Sequence, residues 1–427
     1  ADAVGLSYGR TEAPPAQRPR ILDLYAGSGA IALGLAAAGA SVHLVESFPP
    51  AVLHARESAK AQSLDVEAEC ADVVAALRAL SERRTPPFDA VVVNPPRRGA
   101  SPTTREWLAR VGAPVIAYVS CNPETLARDL EHLTRLGYSA NALRPIDMIP
   151  LTEEVETVAV LHRTAIPAPR TAYEDDEILI VEKSPHEPTM PQGEYASSLL
   201  ARARTLPRAQ RAVALHRLDV GTSGLVMLAR GPEHVARWEP AFAAARAIYL
   251  AAVRGVTPSK GAITRELREN GKVLSARTRY RRLAVGSGQS ILRVVPEQGR
   301  THQVRRHLAA IGHPILGDER YGHAPTNRYF EEKHGLDRSF LHCVRLEFEH
   351  PTTGVHHVVE APLPGDLRAV LERIGGAETL RFLDHKNALG AGVGSSLPPS
   401  VDVEVEDRGT GPLTVYPTMP PRDREET

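Results

Sequence analysis

Cysteine is scarce in this chain. Among 427 residues there are three, Cys70, Cys121 and Cys343. Their separation excludes a zinc knuckle, and their odd number argues against a disulfide framework, so a reducing cytoplasm is the expected setting. Long apolar runs are lacking too. None reaches the roughly 20 residues of a membrane-spanning helix, and no charged-then-apolar leader opens the chain. Net charge is also missing: Lys+Arg and Asp+Glu each number 51, so the total says nothing about partners.

The distribution of charge is more informative. Residues 201–310 hold 21 Lys/Arg against 6 Asp/Glu, whereas 376–427 hold 5 against 9. A basic middle is the footprint expected for a polyanion, RNA or DNA by default, with a solvated basic surface as the plain alternative. The length favours two domains and a tail. Residues 1–18 are Pro-rich and polar and read as a loose N-terminus. Residues 376–427 are rich in Gly, Pro, Ser and acids, which predicts disorder, with Val401 to Val405 at most transiently extended. No internal repeat is found.

The first half opens as strand, glycine turn, helix. The apolar run Ile21-Leu22-Asp23-Leu24-Tyr25 leads into Ala26-Gly27-Ser28-Gly29 and a helical segment from Ala30 to Ala38. This is the first unit of a doubly wound α/β sheet. Gly27 and Gly29 let backbone approach a ligand, and the helix start beyond them favours polar or anionic groups. A second strand, Ser41 to Val45, ends at Glu46, an acid placed for ribose hydroxyls. Glycine turn plus acid fits NAD or S-adenosylmethionine. Asp72 follows a third strand (Val66 to Cys70), where it could meet an adenine amino group. A fourth strand, Phe88 to Val93, runs into Asn94-Pro95-Pro96-Arg97, a turn typical of methyltransferases. A fifth, Val115 to Val119, delivers Ser120-Cys121-Asn122-Pro123 and a helix from Glu124 to Leu136. A cysteine just before a helix N-terminus sits where a thiolate is stabilised; inert packing is the alternative.

On these motifs, together with Glu124-Thr125-Leu126-Ala127-Arg128-Asp129 and Pro150-Leu151-Thr152-Glu153-Glu154-Val155-Glu156, residues 19–163 resemble the TrmA-like RNA uracil-5-methyltransferases. The resemblance implies an S-adenosylmethionine-binding domain with Cys121 as nucleophile and Glu156 as base. The implied cofactor positions are Asp23, Tyr25, Gly27, Gly29, Glu46, Asp72 and Asn94. The chemistry needs these types. A thiolate adding to carbon six of uracil makes carbon five nucleophilic, and a base must later remove the carbon-five proton. The chain departs from the family at Asn94, where Asp is usual, at Ala26, where Cys is usual, and at Glu154, where His is usual. The family's RNA-binding barrel and central segment do not fit into the first 18 residues. The expectation is a truncated chain or a domain that has shed its RNA-binding part.

Residues 164–172 read as a linker. Beyond it comes a strand, Ile178 to Val181, then the stretch His216-Arg217-Leu218-Asp219-Val220-Gly221-Thr222-Ser223-Gly224 at the mouth of the apolar run Leu225 to Leu228. By itself this is either an active-site loop or an ordinary loop with a capping Asp and a salt-bridged Arg. Ala247 to Gly255 is β-like, and Ala276, Thr278 and Tyr280 alternate with Arg277 and Arg279 in a strand with one basic face. Many short strands and few helices predict an α+β domain with a mixed, largely antiparallel sheet, over residues 173–375.

Here the order His216-Arg217-Leu218-Asp219, Thr222-Ser223-Gly224, Tyr249, Gly299-Arg300-Thr301-His302-Gln303-Val304-Arg305 and Gly312-His313-Pro314-Ile315-Leu316-Gly317-Asp318 resembles the RluA class of RNA pseudouridine synthases. The resemblance implies Asp219 as the catalytic aspartate, Arg217 displacing the target base, Tyr249 stacking on the flipped uracil and able to move a proton, and Arg305 pairing with Asp219. It implies neither cofactor nor metal for this domain. Departures are Ser184 and His186, where Pro and Gly are usual, and Gln298, where Thr is usual. His216, His302 and His307 lack carboxylate or Cys at ligand spacing and are expected in structural hydrogen bonds; Cys343 is expected in the core. The combined expectation is an RNA-modifying enzyme that isomerises uridine in ribosomal or transfer RNA, with a second, methyltransferase-like module. The alternative is a non-catalytic RNA-binding or ribosome-assembly factor retaining both folds.

Overall fold

The computed structural model describes residues 18–82, 87–148, 155–193, 195–269 and 271–384. The loose N-terminus (except residue 18), the part of the last methyltransferase-like motif up to Glu154, and residues 385–427 of the expected tail, including Val401 to Val405, lie outside the described residues.

The first half runs β1 (Arg20–Leu24), α1 (Ala30–Ala37), β2 (Ser41–Glu46), α2 (Pro49–Ala61), β3 (Val66–Cys70), α3 (Val73–Glu82), β4 (Ala90–Val93), α4 (Pro102–Val111), β5 (Val115–Ser120), α5 (Pro123–Arg135), β6 (Tyr138–Ile146) and β7 (Glu156–Arg163). Its seven strands are ordered β3-β2-β1-β4-β5-β7-β6. The first five are parallel, and β7 pairs antiparallel with both β5 and β6. Helices cover both faces, so the central strand β4 is apolar throughout and every residue of it is buried. The order reverses between β1 and β4, which opens a crevice at the carboxyl ends of the strands. Gly29, at φ 84°, starts α1; a Cβ there would lie 3.0 Å from the Leu44 side chain and 3.1 Å from that of Ala55. Tyr25, expected in the first strand, has left it: its φ is 58°, because the chain turns there toward the glycines.

The second half runs β8 (Thr171–Glu174), β9 (Ile178–Lys183), α6 (Leu199–Ala203), β10 (Val213–Ala214), β11 (Ser223–Ala229), α7 (Pro232–Ala244), β12 (Arg246–Val253), β13 (Lys260–Thr264), β14 (Leu267–Glu269), β15 (Lys272–Leu274), β16 (Arg277–Gly286), β17 (Gln289–Pro296), α8 (Gln303–Ala310), α9 (Ala324–His334), β18 (Leu341–Glu349), β19 (His356–Glu360) and α10 (Gly365–Asp384). Its main sheet is ordered β13-β16-β17-β12-β18-β11-β9-β8, with β10 on β11 and β19 on β18. It is mixed: β11 and β18 pair in parallel, and the other described pairings are antiparallel. Strand β11 is buried along its whole length at the centre. The helix α10 carries regular structure past residue 375, where disorder was expected to begin. It packs against β16, with Leu367, Val370 and Leu371 buried in the core there.

The halves meet across buried ions. Arg105 of α4, fully buried, donates to Asp129 of α5 at 2.8 Å and to Asp337 of the second half at 2.6 Å. Asp337 also faces Arg128 at 3.3 Å and His186 at 3.1 Å. The rings of His186 and His132 stack at 5.4 Å. Glu106 accepts from His132, from Arg135 at 2.7 Å and from the Ala196 amide at 2.9 Å. Burial raises Asp337, but the neighbouring cations outweigh it and hold its carboxyl well below the usual range.

Candidate active site

The loop at 216–224 is fixed from several sides before any ligand arrives. His216 Nε2 accepts the Met227 amide at 3.0 Å, and its ring stacks on Phe242 at 4.3 Å. Burial pulls His216 down to about 4, so it is neutral. Leu218 exchanges two hydrogen bonds of 3.1 Å with the Thr189 hydroxyl. Lys183 reaches from the end of β9 and donates to the carbonyl of Val220 at 3.1 Å. Ser223 Oγ meets His342 at 2.9 Å and accepts from Arg338 at 3.0 Å. Gly224, at φ 116°, lets β11 lie against β18; a Cβ would stand 2.3 Å from the Cys343 carbonyl oxygen.

Asp219 protrudes from this frame. Arg305 of α8 donates to it at 2.9 Å. The same guanidinium donates twice to Asp318, at 2.7 and 2.8 Å, and lies 5.2 Å from the centre of the Tyr321 ring. Burial would lower the pKa of Arg305, but the two carboxylates raise it, so it stays charged. Asp318 is buried, which would raise it; Arg305 and the amides of Tyr321 and Arg320 hold it down. His302, at φ 54°, stands 3.6 Å from Asp219 and hydrogen-bonds the Tyr321 hydroxyl at 3.0 Å. Tyr249 lies on β12 opposite Cys343. Burial, then the charges of Cys343 and Asp219, push its phenol well above its usual value, so it remains protonated.

Thus Asp219, Tyr249 and Arg305 come together. Arg217 is exposed, and among the described residues it has no ion pair with Asp219. His302, expected in structural hydrogen bonding, makes one to Tyr321 and also stands beside Asp219; Asp318 has no role assigned from the sequence. Asp318 closes the stretch Gly312 to Asp318, and its signal there is a second acid within reach of Arg305. His307 is structural, bonded to Thr278 and to the Arg265 carbonyl. Cys343 is fully buried. The alternation in β16 is present: Thr278 and Tyr280 are buried, while Arg279 and Arg281 are exposed. No described group of three or more His, Cys, Asp or Glu could hold a metal.

In the first half, the last paired residues of β5 and β7 are Ser120 and Thr157. One step further, Cys121 and Glu156 stand at the same end of the sheet. Asn122 caps α5, accepting the amides of Glu124 and Thr125 at 3.0 and 3.2 Å. Asn94 is exposed at the end of β4. Glu46 accepts the amides of Gly27 at 3.0 Å and Phe48 at 2.8 Å, which tie the glycine turn to β2. Asp72 caps α3 through one oxygen, accepting Val74 and Ala75 at 2.9 and 3.1 Å. Asp23 is fully buried, and neither of its oxygens meets a hydrogen-bond partner. Burial raises it to about 7; the Ala32 amide lies near enough to oppose this weakly without reaching hydrogen-bond geometry. An orphaned carboxylate beside the crevice fits a cationic ligand group, so these residues fit S-adenosylmethionine, with its ammonium and sulfonium.

Residues 177–310 match the family described as RNA pseudouridylate synthase, and residues 11–164 match tRNA (uracil-5-)-methyltransferase. The chain is 34% identical to the ribosomal large subunit pseudouridine synthase D of Nitrosomonas europaea, over 49% of this chain and 66% of that protein. It is 32% identical to the synthase D of Xanthomonas campestris pv. campestris, over 54% of this chain and 78% of that one. It is 39% identical to an uncharacterized RNA methyltransferase of Geobacter sulfurreducens, over 33% of this chain and 28% of that protein. The chain thus spans just under two thirds of the first synthase and less than a third of the methyltransferase.

Proposed function

The chain belongs to the RNA pseudouridylate synthase family, and on that premise we propose that it isomerises uridine to pseudouridine in ribosomal or transfer RNA. The observation that carries this reading is the ion pair of Asp219 and Arg305, at 2.9 Å, beside Tyr249. The reaction detaches uracil at nitrogen one, turns it, and rejoins it through carbon five. It needs a carboxylate that stays ionised while enclosed with the base, to attack it or to take a proton from the sugar. Arg305 supplies the counter-charge. Tyr249, protonated, offers a stacking face and a hydroxyl donor. Arg217, exposed on the loop, is free to enter the stack as the base leaves it; unstacking costs on the order of a few kcal/mol. The exposed cations of β16 hold the RNA backbone without reading its sequence. No described helix is long and apolar enough to cross a membrane, and RNA as substrate makes the cytoplasm the proposed location.

A second reading applies to the first half: S-adenosylmethionine-dependent methylation at carbon five of uracil, with Cys121 as nucleophile and Glu156 as base. The observation behind it is that the two residues flank the last β5–β7 pair on one edge. S-adenosylmethionine would supply the methyl group. Asp23, Tyr25, Gly27, Gly29, Glu46, Asp72 and Asn94 are the residues that would hold it.

Release of tritium from RNA labelled at carbon five of uracil, measured without S-adenosylmethionine so that methyl transfer cannot contribute, tests the synthase reading. Asp219→Asn should abolish release. Release by Asp219→Asn at the wild-type rate would remove Asp219 from the reaction, and no release by the wild-type chain would leave a non-catalytic RNA-binding role as the better account.

A further inference from the structure

The second half packs over the ligand-binding edge of the first. Between them lies a cavity of about 310 Å³, within the ~300–1,000 Å³ of small-molecule sites. One wall comes from the first half: Tyr25 after β1 and Asp72 after β3, the two assigned donor residues that line it, with Pro96 after β4 and Ser101 and Thr104 at the start of α4. The cavity thus adjoins the glycine turn rather than containing it. The other wall is Gly317, Glu319, Asn327, Glu331 and Leu336 of the second half. Val74, Pro96 and Leu336 offer apolar faces to a planar ring. Asp72 has one oxygen committed to its helix cap, which leaves the other as an acceptor for an exocyclic amine. The charged lining is Asp72, Glu319, Glu331 and Asp337 against Arg98 and Arg128, with Arg128 paired to Asp337 at 3.3 Å, so the excess of carboxylates favours a ligand that carries positive charge.

The outer wall is joined to the synthase site. Asn327 accepts the Gly317 amide at 3.0 Å and donates to the Asp318 carbonyl at 2.8 Å. Asp318 lies between two residues that line the cavity, and its side chain holds Arg305, which holds Asp219. The segment has little slack. Gly317 has φ 71°, and a Cβ there would stand 2.0 Å from the Arg338 carbonyl. Movement at Asn327 therefore passes to Asp318.

We propose that the synthase half completes the methyl-donor site of the first half through Glu319, Asn327 and Glu331, and that occupancy of this seam cavity by an adenosyl sulfonium or its thioether product sets the Arg305–Asp219 pair. This rests on the reading of the first half as a binder of S-adenosylmethionine. The coupling is physical: a ligand that orders Asn327 biases the one segment both sites share.

S-adenosylhomocysteine is the probe, titrated calorimetrically into the full chain. Wild type should bind it, and both Asp23→Asn and Glu331→Ala should weaken binding by about fivefold or more. Saturating probe should raise wild-type tritium release by about fivefold, and Asn327→Ala should lose this response. If Glu331→Ala binds as wild type while Asp23→Asn does not, the seam is no part of the site, and the donor reading stands without it. If the probe binds and tritium release is unchanged, the coupling is refuted. Absence of binding to wild type overturns the donor reading and this inference together.

Discussion

Asp318 engages two donors of Arg305, and Asp219 takes a third. The arginine is therefore aimed by the carboxylate that does no chemistry. Asp318→Asn keeps the shape but removes the charge that fixes the guanidinium. Tritium release at saturating RNA should fall about 10- to 100-fold, the range for hydrogen bonds to charged groups, with KM little changed. A fall in KM-controlled binding alone would point to a role in docking RNA. Asp23 makes a prediction of opposite character. Its folded pKa is about 7 against an ordinary carboxylate value of 3.8. Between about pH 4 and 7 the native state therefore holds the proton that the unfolded state has lost, and stability falls as pH rises through that window. Above pH 7 the cost is complete, on the order of 4 kcal/mol. Asp23→Asn should raise the urea midpoint at pH 8 and do so much less at pH 5. At this scale the sequence revealed Asp219, Tyr249 and Arg305, because their order along the chain is distinctive. It did not reveal the work of Asp318 and His302. Their roles depend on a left-handed turn at His302 and on where α8 points. Glu46 and Asp72 were legible as acids at strand ends. That each already serves its own loop as a backbone acceptor was not.

At the scale of elements, β11 shows how one residue admits a pairing. Its first residues run parallel to β18, and Gly224 faces Cys343 with no room for a Cβ. Gly224→Ala should destabilise the fold by about 2 kcal/mol or more, through both the positive φ and the backbone clash, read as a shift in the urea midpoint. Strands β4 and β5 were legible because their apolar runs are unbroken. Strands β1 and β2 each carry one polar residue inside an apolar run, and β3, VEAEC, with Ala68 alone buried, was legible by its place in the strand–helix alternation. Helix α9 was not, since among its residues only Phe330 is buried, and one apolar residue gives no periodicity. The short hairpin of β14 and β15 escaped for the same reason, with Leu267 its buried anchor. The end of α10 was misjudged because its Gly-Gly pair and acids resemble a tail, while Leu367, Val370 and Leu371 dock its first turns.

At the scale of the whole molecule, the seam is charged rather than greasy. Arg105 is fully buried and has two carboxylate partners, one from each half. Asp337→Ala would leave Arg105, Arg128 and His186 without their shared counter-charge. The expected loss is about 3–5 kcal/mol, seen as a lowered thermal midpoint that reports on both halves together. Nothing in the sequence announces this seam, since its members are spread from Arg105 to Asp337 and each looks like an ordinary surface charge.

A seam of that kind has a geometric consequence. Ion pairs buried in an interface cannot slide without exposing unpaired charge, so the two halves turn as one body. Cys121 and Asp219 are then held at a constant separation, like the jaws of a caliper. Any RNA that engages both must present its two uridines at one set spacing, whatever the sequence between them.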